Sequence, residues 1–114
     1  MKTHVMNLDK QYFDFVKNQK KTYELRVFDE KRQNISLMDK IKFKNGDREM
    51  LVNAQKLLLF DDFYSALSCV GFSNAIPNAN SIEDAVKIYE SINGSLGNYK
   101  ELAKNYGVIA IKIN

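Results

Sequence analysis

An acid and a guanidinium lie two residues apart in a short stretch that is otherwise rich in strand-forming residues. Residues 22–28 predict a strand, and because side chains alternate across a strand, Glu24 and Arg26 share one face with Thr22. A carboxylate beside a guanidinium stays ionised, and it can accept from a nucleobase amino group or orient a lysine. Arg26 can then fork onto a phosphate or a base edge, and Lys21 can act as a general base if its amine is desolvated. Lys21, Glu24 and Thr22 are therefore the candidate catalytic residues.

A plainer interpretation of the same residues stays open. Charged residues in the middle of a strand usually face solvent, where Glu24 and Arg26 would form a surface ion pair of small energetic value. Lys20 and Lys21 are equally consistent with a solvated loop that leads into the strand. The residues alone do not decide between a binding cleft and a charged surface.

The distribution of charge favours an anionic ligand near this strand. Residues 17–32 hold six positive and three negative side chains, whereas the other positions hold eleven of each sign, so the formal net charge of +3 lies in this window. Lys31 and Arg32, which follow the strand, would hold phosphate with salt-dependent affinity, or else they belong to a solvated loop. Lys20, Arg26, Lys31 and Arg32 are the predicted ligand-binding cations.

Few other residues have a spacing that suggests chemistry. His4 is the single histidine and is a candidate ligand-binding residue, although a packed or surface ring is the commoner role. Tyr106 either stacks on a base or closes a barrel. Cys69 is the single cysteine, and the acids are scattered, so the sequence predicts no disulfide, no metal site and no cofactor.

Length and composition indicate an ordinary globular protein. The 114 residues predict one domain over residues 1–114 with a real core. No run approaches the roughly 18 apolar residues of a membrane span, and the N-terminus has no secretory pattern. We therefore expect a cytoplasmic protein without membrane contact. The oligomeric state is not predictable from these features.

Hydrophobic periodicity predicts five strands and three helices in an irregular order. The strands cover residues 3–8, 22–28, 40–44, 49–54 and 108–113, and the helices cover residues 10–18, 63–70 and 82–92. Residues 57–60 form either a further strand or the same strand after a bulge. Residues 72–80 read as a loop, and residues 99–105 as a single helical turn. This order predicts an α+β fold with a small mixed, mostly antiparallel, barrel-like sheet.

Four pieces of the chain, taken in order, resemble the ASCH family. They are Lys21, Glu24 and Arg26 after the first helix, then the D-E-K-R of residues 29–32, the basic strand of residues 39–43, and the Y-G-V-I-A-I of residues 106–111. Gln19 and Met38 stand where the family has glycine. The resemblance spans residues 4–113 and implies a β-barrel similar to the PUA domain, a fold associated with RNA modification.

The resemblance also implies a function. ASCH proteins are expected to have a cleft lined by the lysine, glutamate and arginine, with RNA or a nucleotide as ligand. One branch is an amidohydrolase of acetylated cytidine, in which Lys21 matches a lysine and Glu24 stands in place of the nucleophilic threonine. Another branch is ribonuclease-like. We therefore expect an RNA- or nucleotide-binding domain. The alternatives are a small metal-independent hydrolase and a non-catalytic module that binds a partner protein.

Overall fold

A five-stranded sheet, curled into a half-barrel, forms the frame of the molecule in this computed structural model, which describes residues 1–113. Its strands are β1 (Thr3–Asn7), β2 (Tyr23–Val27), β3 (Lys40–Asn45), β4 (Arg48–Phe60) and β7 (Val108–Ile113). The strand order is β1-β3-β4-β7-β2, with β1 parallel to β3 and the other pairs antiparallel. A separate two-stranded ribbon joins β5 (Asn93–Gly94) to β6 (Gly97–Asn98). The predicted α+β class with a mostly antiparallel, barrel-like sheet is confirmed.

The sheet is built around β7, which pairs with β4 on one side and β2 on the other. All its residues except Lys112 are buried, as the apolar run in the sequence predicts for a central strand. The two predicted segments 49–54 and 57–60 are one strand, β4, with a register shift between Ala54 and Lys56. A bulge of this kind bends the strand, so that β4 serves both halves of the curled sheet.

Five α-helices accompany the strands, where the periodicity predicts three. Their bounds are α1 (Lys10–Lys17), α2 (Phe63–Val70), α3 (Phe72–Ala75), α4 (Ile82–Glu90) and α5 (Tyr99–Tyr106), and a 3₁₀ turn covers Arg32–Asn34. The single turn of α3 lies within the predicted loop 72–80. Helix α5 has two turns, because the Asn98 side chain accepts from the amides of Lys100 and Glu101 at its start. No described helix is long and apolar enough to cross a membrane.

Two apolar layers hold the elements together. Inside the curl, residues of β1, β3, β4 and β7 pack with α1, and Phe43 and Ile41 are fully buried there. On the opposite face, β2 and β7 pack against α2, α4 and α5, where the Phe63 and Tyr89 rings stack with centroids 5.0 Å apart. The predicted helix over residues 63–70 is confirmed as α2, whose Phe63, Leu67 and Val70 are all buried.

Two junctions between elements have a left-handed backbone. Gln19, after α1, has φ 62°, and Met38, before β3, has φ 68°. They are the only non-glycine residues with positive φ in the described part of the chain. An L-residue in this conformation brings its Cβ close to the carbonyl oxygen, so that glycine is the usual occupant.

Candidate functional site

Lys21, Glu24 and Arg26 form a buried ion cluster at the edge of β2. Lys21 Nζ lies 3.1 Å from Glu24 Oε1, and Arg26 donates to Glu24 Oε2 from Nε at 2.9 Å and from Nη2 at 2.7 Å. Lys21 is 2% exposed and Glu24 is 3% exposed. The acid and guanidinium therefore share a face as predicted, but Glu24 is buried and Arg26 is half-buried, so the two do not form an exposed surface pair.

The Lys21 ammonium is held by acceptors from three elements. Besides Glu24, Nζ donates to the backbone carbonyls of Tyr23 at 2.9 Å and Ala75 at 2.7 Å, and it lies 3.3 Å from the Tyr89 hydroxyl. Carbonyl oxygens only accept, so the amine must supply the protons. Ala75 closes α3, the helical turn that the sequence analysis missed. Lys21 thus joins the start of β2 to α3 and α4, and it orients Glu24.

Burial and mutual attraction set the protonation of the cluster. Burial lowers the pKa of Lys21, although Glu24 opposes that shift. Burial alone would raise the pKa of Glu24, but the charges of Lys21 and Arg26 outweigh it, and the net direction is downward. Burial likewise opposes the charge of Arg26, yet the Glu24 carboxylate raises its pKa. Glu24 is therefore an ionised acceptor at neutral pH.

Arg26 also spans the gap between the two edges of the half-barrel. Its Nη2 donates to the Asn7 carbonyl of β1 at 2.9 Å, so that one nitrogen bridges β1 and Glu24. Nη1 is the guanidinium nitrogen that has no hydrogen-bond partner among residues 1–113. Two N–H donors of Arg26 are consequently left for a ligand.

A cavity of about 370 Å³ opens beside this cluster. Its volume falls within the range of small-molecule sites. Three tyrosines contribute to its walls, together with isoleucines from α4 and the segment after α3, and with polar residues from the end of β1. The lining residues are Asn7, Leu8, Asp9, Tyr12, Lys21, Glu24, Leu25, Arg26, Ile76, Ile88, Tyr89, Ser91, Ile92 and Tyr99. Asn7 and Asp9 are the side chains whose position in the sequence suits a cap for α1, but Asp9, at the N-cap, makes no capping hydrogen bond through its side chain.

Several predicted site residues lie elsewhere. Thr22 precedes β2 and does not line the cavity; its backbone pairs with Asn74 and Ile113. Lys20 is exposed. Tyr106 lines a separate open groove beside Gly107. Of the predicted residues, the structure brings only Lys21, Glu24 and Arg26 together at the cavity.

The predicted cations after β2 form a second, smaller site with His4. Lys31, Arg32 and His4 line a recess of about 10 Å³. Arg32 Nη1 lies 3.1 Å from Asp29 Oδ2, and His4 Nε2 lies 2.9 Å from Asp39 Oδ2. The predicted basic cleft is thus divided in two, and Arg32 is paired within its own loop.

The aromatic walls are what the sequence analysis missed. Tyr12 and Tyr89 belong to stripes that predict core packing, and Tyr89 is indeed buried, with burial and the Glu24 charge raising its pKa well above the ordinary value. Tyr99 is buried as well and stacks on Phe63 with centroids 6.0 Å apart. The tyrosine hydroxyls could have indicated these walls in the sequence. A tyrosine in a core position needs a polar partner for its hydroxyl, whereas phenylalanine does not.

No group of three His, Cys, Asp or Glu side chains that could hold a metal ion occurs within residues 1–113. The arrangement offers instead an ionised carboxylate, a guanidinium with free donors and several aromatic rings around one cavity. Such a site is suited to binding a planar polar ligand by stacking and hydrogen bonds.

Comparisons with known proteins place the whole chain beside two solved structures. No protein-family model and no curated protein matches it. The crystal structure of hypothetical protein PH0355 is 33% identical with a TM-score of 0.86, over 100% of this chain and 98% of that one. The solution structure of protein PF0455 from Pyrococcus furiosus is 30% identical with a TM-score of 0.76, over 98% of this chain and 96% of that one. The chain belongs to the same protein family as PH0355 and PF0455.

Proposed function

We propose that this protein is an ASCH-like, PUA-related domain that binds the base of a nucleotide or of RNA in the cavity beside β2. The observation that carries the proposal is the buried Lys21–Glu24–Arg26 cluster at a tyrosine-lined cavity of about 370 Å³. Charged groups are costly to bury, and a site that buries two of them and half-buries a third beside an open cavity is a candidate for recognition.

The apolar part of the cavity supports a planar aromatic ligand. Tyr12, Tyr89 and Tyr99 line the cavity, and Ile76 and Ile88 complete its walls. Stacking of a base on an aromatic side chain contributes about 1–3 kcal/mol. A cavity with these walls and a few polar groups would hold one base rather than a longer segment of chain.

The polar part supports a ligand with a donor and an acceptor on one edge. Glu24 Oε2 already accepts two hydrogen bonds from Arg26, whereas Oε1 lies against Lys21 alone and retains a lone pair that can accept from an amino group. Arg26 Nη1 can donate to an adjacent carbonyl or ring nitrogen, or to a phosphate oxygen. A base that carries an amino group beside an acceptor, such as cytosine or adenine, matches this pair of groups.

The backbone supports the resemblance to the ASCH family. Gln19 and Met38 stand where that family has glycine, and they are the two non-glycine residues that have positive φ within residues 1–113. Both junctions therefore have a backbone conformation that glycine favours, which supports the alignment with the family at these two positions.

The contacts of Lys21 favour binding over hydrolysis. A general base needs a free lone pair, but the Lys21 amine has two carbonyl acceptors and a carboxylate within hydrogen-bonding distance. Thr22, the nearby hydroxyl that the hydrolase hypothesis uses, does not line the cavity. The hydrolase and the protein-interaction hypotheses stay predictions.

Calorimetric titration with a panel of ligands tests the proposal. The panel contains plain and acetylated nucleosides, nucleoside monophosphates and short single-stranded RNA, and chromatography of each mixture reports any product. We expect binding without product. Arg26→Lys keeps the charge beside Glu24 but removes the free Nη1 donors, so it should weaken binding about tenfold, as expected for the loss of a charged hydrogen bond.

Arg48→Lys is the matched control. Arg48 also pairs with a carboxylate, Asp14 at 2.8 Å, but it does not line the cavity. Its replacement should leave the affinity unchanged, and thermal unfolding shows whether each variant is folded. Absence of binding by every compound in the panel, or equal affinities for wild type and a folded Arg26→Lys variant, contradicts the proposal. Product that disappears with a folded Lys21 variant would identify a hydrolase instead.

A further inference from the structure

The convex face of the sheet carries a regular array of lysines. Residues of β1, β3 and β4 that alternate with the buried ones point outward, and Lys40, Lys42 and Lys44 all lie on this face of β3. The cross-strand rows are Thr3–Lys40–Asn53, Val5–Lys42–Leu51 and Asn7–Lys44–Glu49. Successive lysines on one face of a strand are about 6.6 Å apart, twice the rise per residue.

Two more lysines continue this face beyond the bulge of β4. Lys56 and Lys112 are exposed and lie directly opposite each other on β4 and β7. Neither makes an ion pair with another residue in the range 1–113. Like charges at facing positions destabilise a sheet, so this pair is a feature that an anionic ligand would stabilise.

We call these five lysines the lysine track: Lys40, Lys42, Lys44, Lys56 and Lys112. Among the outward-facing residues of these rows the single acid is Glu49, which lies 3.6 Å from Lys44, so the track has a net charge of +4. Val5 and Leu51, on either side of Lys42, are 46% and 53% exposed. They support the aliphatic part of the lysine and leave its charged end in solvent.

The positive charge of residues 17–32 is less exposed to solvent than that of the lysine track. Lys21 and Arg26 are neutralised in part by Glu24 inside the molecule, and Arg32 pairs with Asp29. Much of the positive charge of residues 17–32 is therefore directed inward. The lysine track presents more net charge to a large ligand than that window does.

The track ends at the cavity. Asn7 lies in register with Lys44 on the convex face, and it also lines the cavity. Its carbonyl accepts from Arg26, so the last row of the track is joined directly to the ion cluster. A ligand that follows the lysines along β3 therefore reaches the mouth of the cavity at Asn7.

We propose that a single strand of RNA lies along the lysine track and places one base in the cavity at the Asn7 end. The cavity half of this inference rests on the proposed function; the track half rests on the register and the charges alone. Lysines act as point charges for phosphates without selecting a sequence. The track thus provides affinity for the strand, and the cavity provides selection of the base.

Fluorescence anisotropy with a labelled single-stranded RNA, measured over a range of salt concentrations, tests the track. The test variant is Lys42→Gln with Lys112→Gln, and the control is Lys17→Gln with Lys104→Gln. The control removes the same charge from exposed positions on α1 and α5, outside the rows and the cavity lining. Loss of two phosphate contacts should lower the slope of log affinity against log salt by about 1.4, and the control should leave it unchanged.

The competing outcomes separate the two proposals. Equal slopes for the test and control variants would overturn the RNA-binding role of the track. Competition by poly-glutamate as strong as that by unlabelled RNA would also overturn it, because an acidic polypeptide would then be the better ligand. Neither Lys42 nor Lys112 lines the cavity, so the calorimetric affinity for a single nucleotide should be the same for the test variant and wild type. Track-dependent RNA binding without any nucleotide binding would contradict the cavity proposal and retain the track.

Discussion

At the residue scale, the main feature is a lysine that is buried in order to hold a carboxylate. A buried ion pair adds little to stability compared with an apolar packing of similar size, because both charges lose their hydration. Lys21 nevertheless satisfies two backbone carbonyls as well as Glu24. We infer that its main role is to position Glu24 for a ligand and to tie α3 to β2.

Replacement of Lys21 tests that role. Lys21→Met keeps most of the side-chain volume but leaves the carbonyls of Tyr23 and Ala75 without their donor and Glu24 with Arg26 alone. We expect a loss of about 3 kcal/mol in the free energy of unfolding, measured with urea. Lys20→Met at the adjacent exposed position should change it by less than about 0.5 kcal/mol. Similar values for the two variants would show that Lys21 has no such structural role.

At the element scale, the turns before β2 and β3 set the direction in which the chain enters each strand. The chain turns at Gln19 after α1. The next two backbone amides, those of Lys20 and Lys21, both donate to the Phe15 carbonyl. Met38 precedes Asp39, and its amide donates to the Ala54 carbonyl at 2.7 Å. Both turns require a left-handed residue, and neither has the glycine that would adopt this conformation without strain.

Glycine at these two positions should therefore stabilise the protein. The left-handed conformation costs an L-residue about 1–2 kcal/mol, and glycine loses about 0.5–1 kcal/mol in conformational entropy, so we expect a net gain of roughly 0.5–1 kcal/mol for Gln19→Gly and for Met38→Gly. Lys20→Gly, where φ is not positive, should destabilise by up to about 1 kcal/mol. Urea unfolding measures all three. Destabilisation by both glycine variants at positions 19 and 38 would count against strain at these junctions.

At the scale of the whole molecule, side-chain hydrogen bonds connect the two edges of the sheet, which does not close into a full barrel. The edges β1 and β2 are linked by the hydrogen bond from Arg26 to the Asn7 carbonyl, and no backbone hydrogen bond joins them among residues 1–113. At the other end of β1, Asp39 accepts from the amides of Lys2 and Ser36 and contacts His4. The half-barrel therefore depends on charged groups at both ends of its first strand.

The role of Asp39 predicts a dependence of stability on pH. The hydrogen bond with His4, and then that from the Ser36 amide, lower the pKa of Asp39 from the ordinary 3.8 to about 2. A carboxyl whose pKa is lowered by folding stabilises the protein above its unfolded pKa, and this stabilisation is lost as the pH falls from about 4 through about 2. The urea midpoint of wild type should therefore exceed that of Asp39→Asn most clearly above about pH 5.

The urea midpoints of wild type and Asp39→Asn should converge at acidic pH. Below about pH 2 the carboxyl is neutral in the folded and unfolded states, so the difference in midpoint between wild type and Asp39→Asn should become small. Glu30→Gln, at an exposed residue whose carboxylate makes no ion pair among residues 1–113, should follow wild type at every pH. A constant difference for Asp39→Asn over this range would disprove the link between its ionisation and folding.

Local patterns of residues were enough to predict several of the helices and strands. Alternation placed Glu24 and Arg26 on one face of a strand, and the doubly apolar run of residues 108–113 identified the central strand, because side chains alternate in any strand whatever it packs against. The apolar spacing of α2 is local in the same sense, and so is the start of α4, where the Ser81 side chain accepts from the Asp84 amide. These features are specified within a few residues of chain.

Whether a charged side chain is buried or exposed to solvent depends instead on contacts between distant parts of the chain. Lys21 lies inside because Ala75, 54 positions away, provides an acceptor, and Tyr99 reaches the same cavity from α5. Lys42 and Lys112 join one surface through the pairing of β3, β4 and β7, although 70 residues separate them. Such neighbours are set by strand register and helix packing over long separations, which composition and local periodicity do not encode.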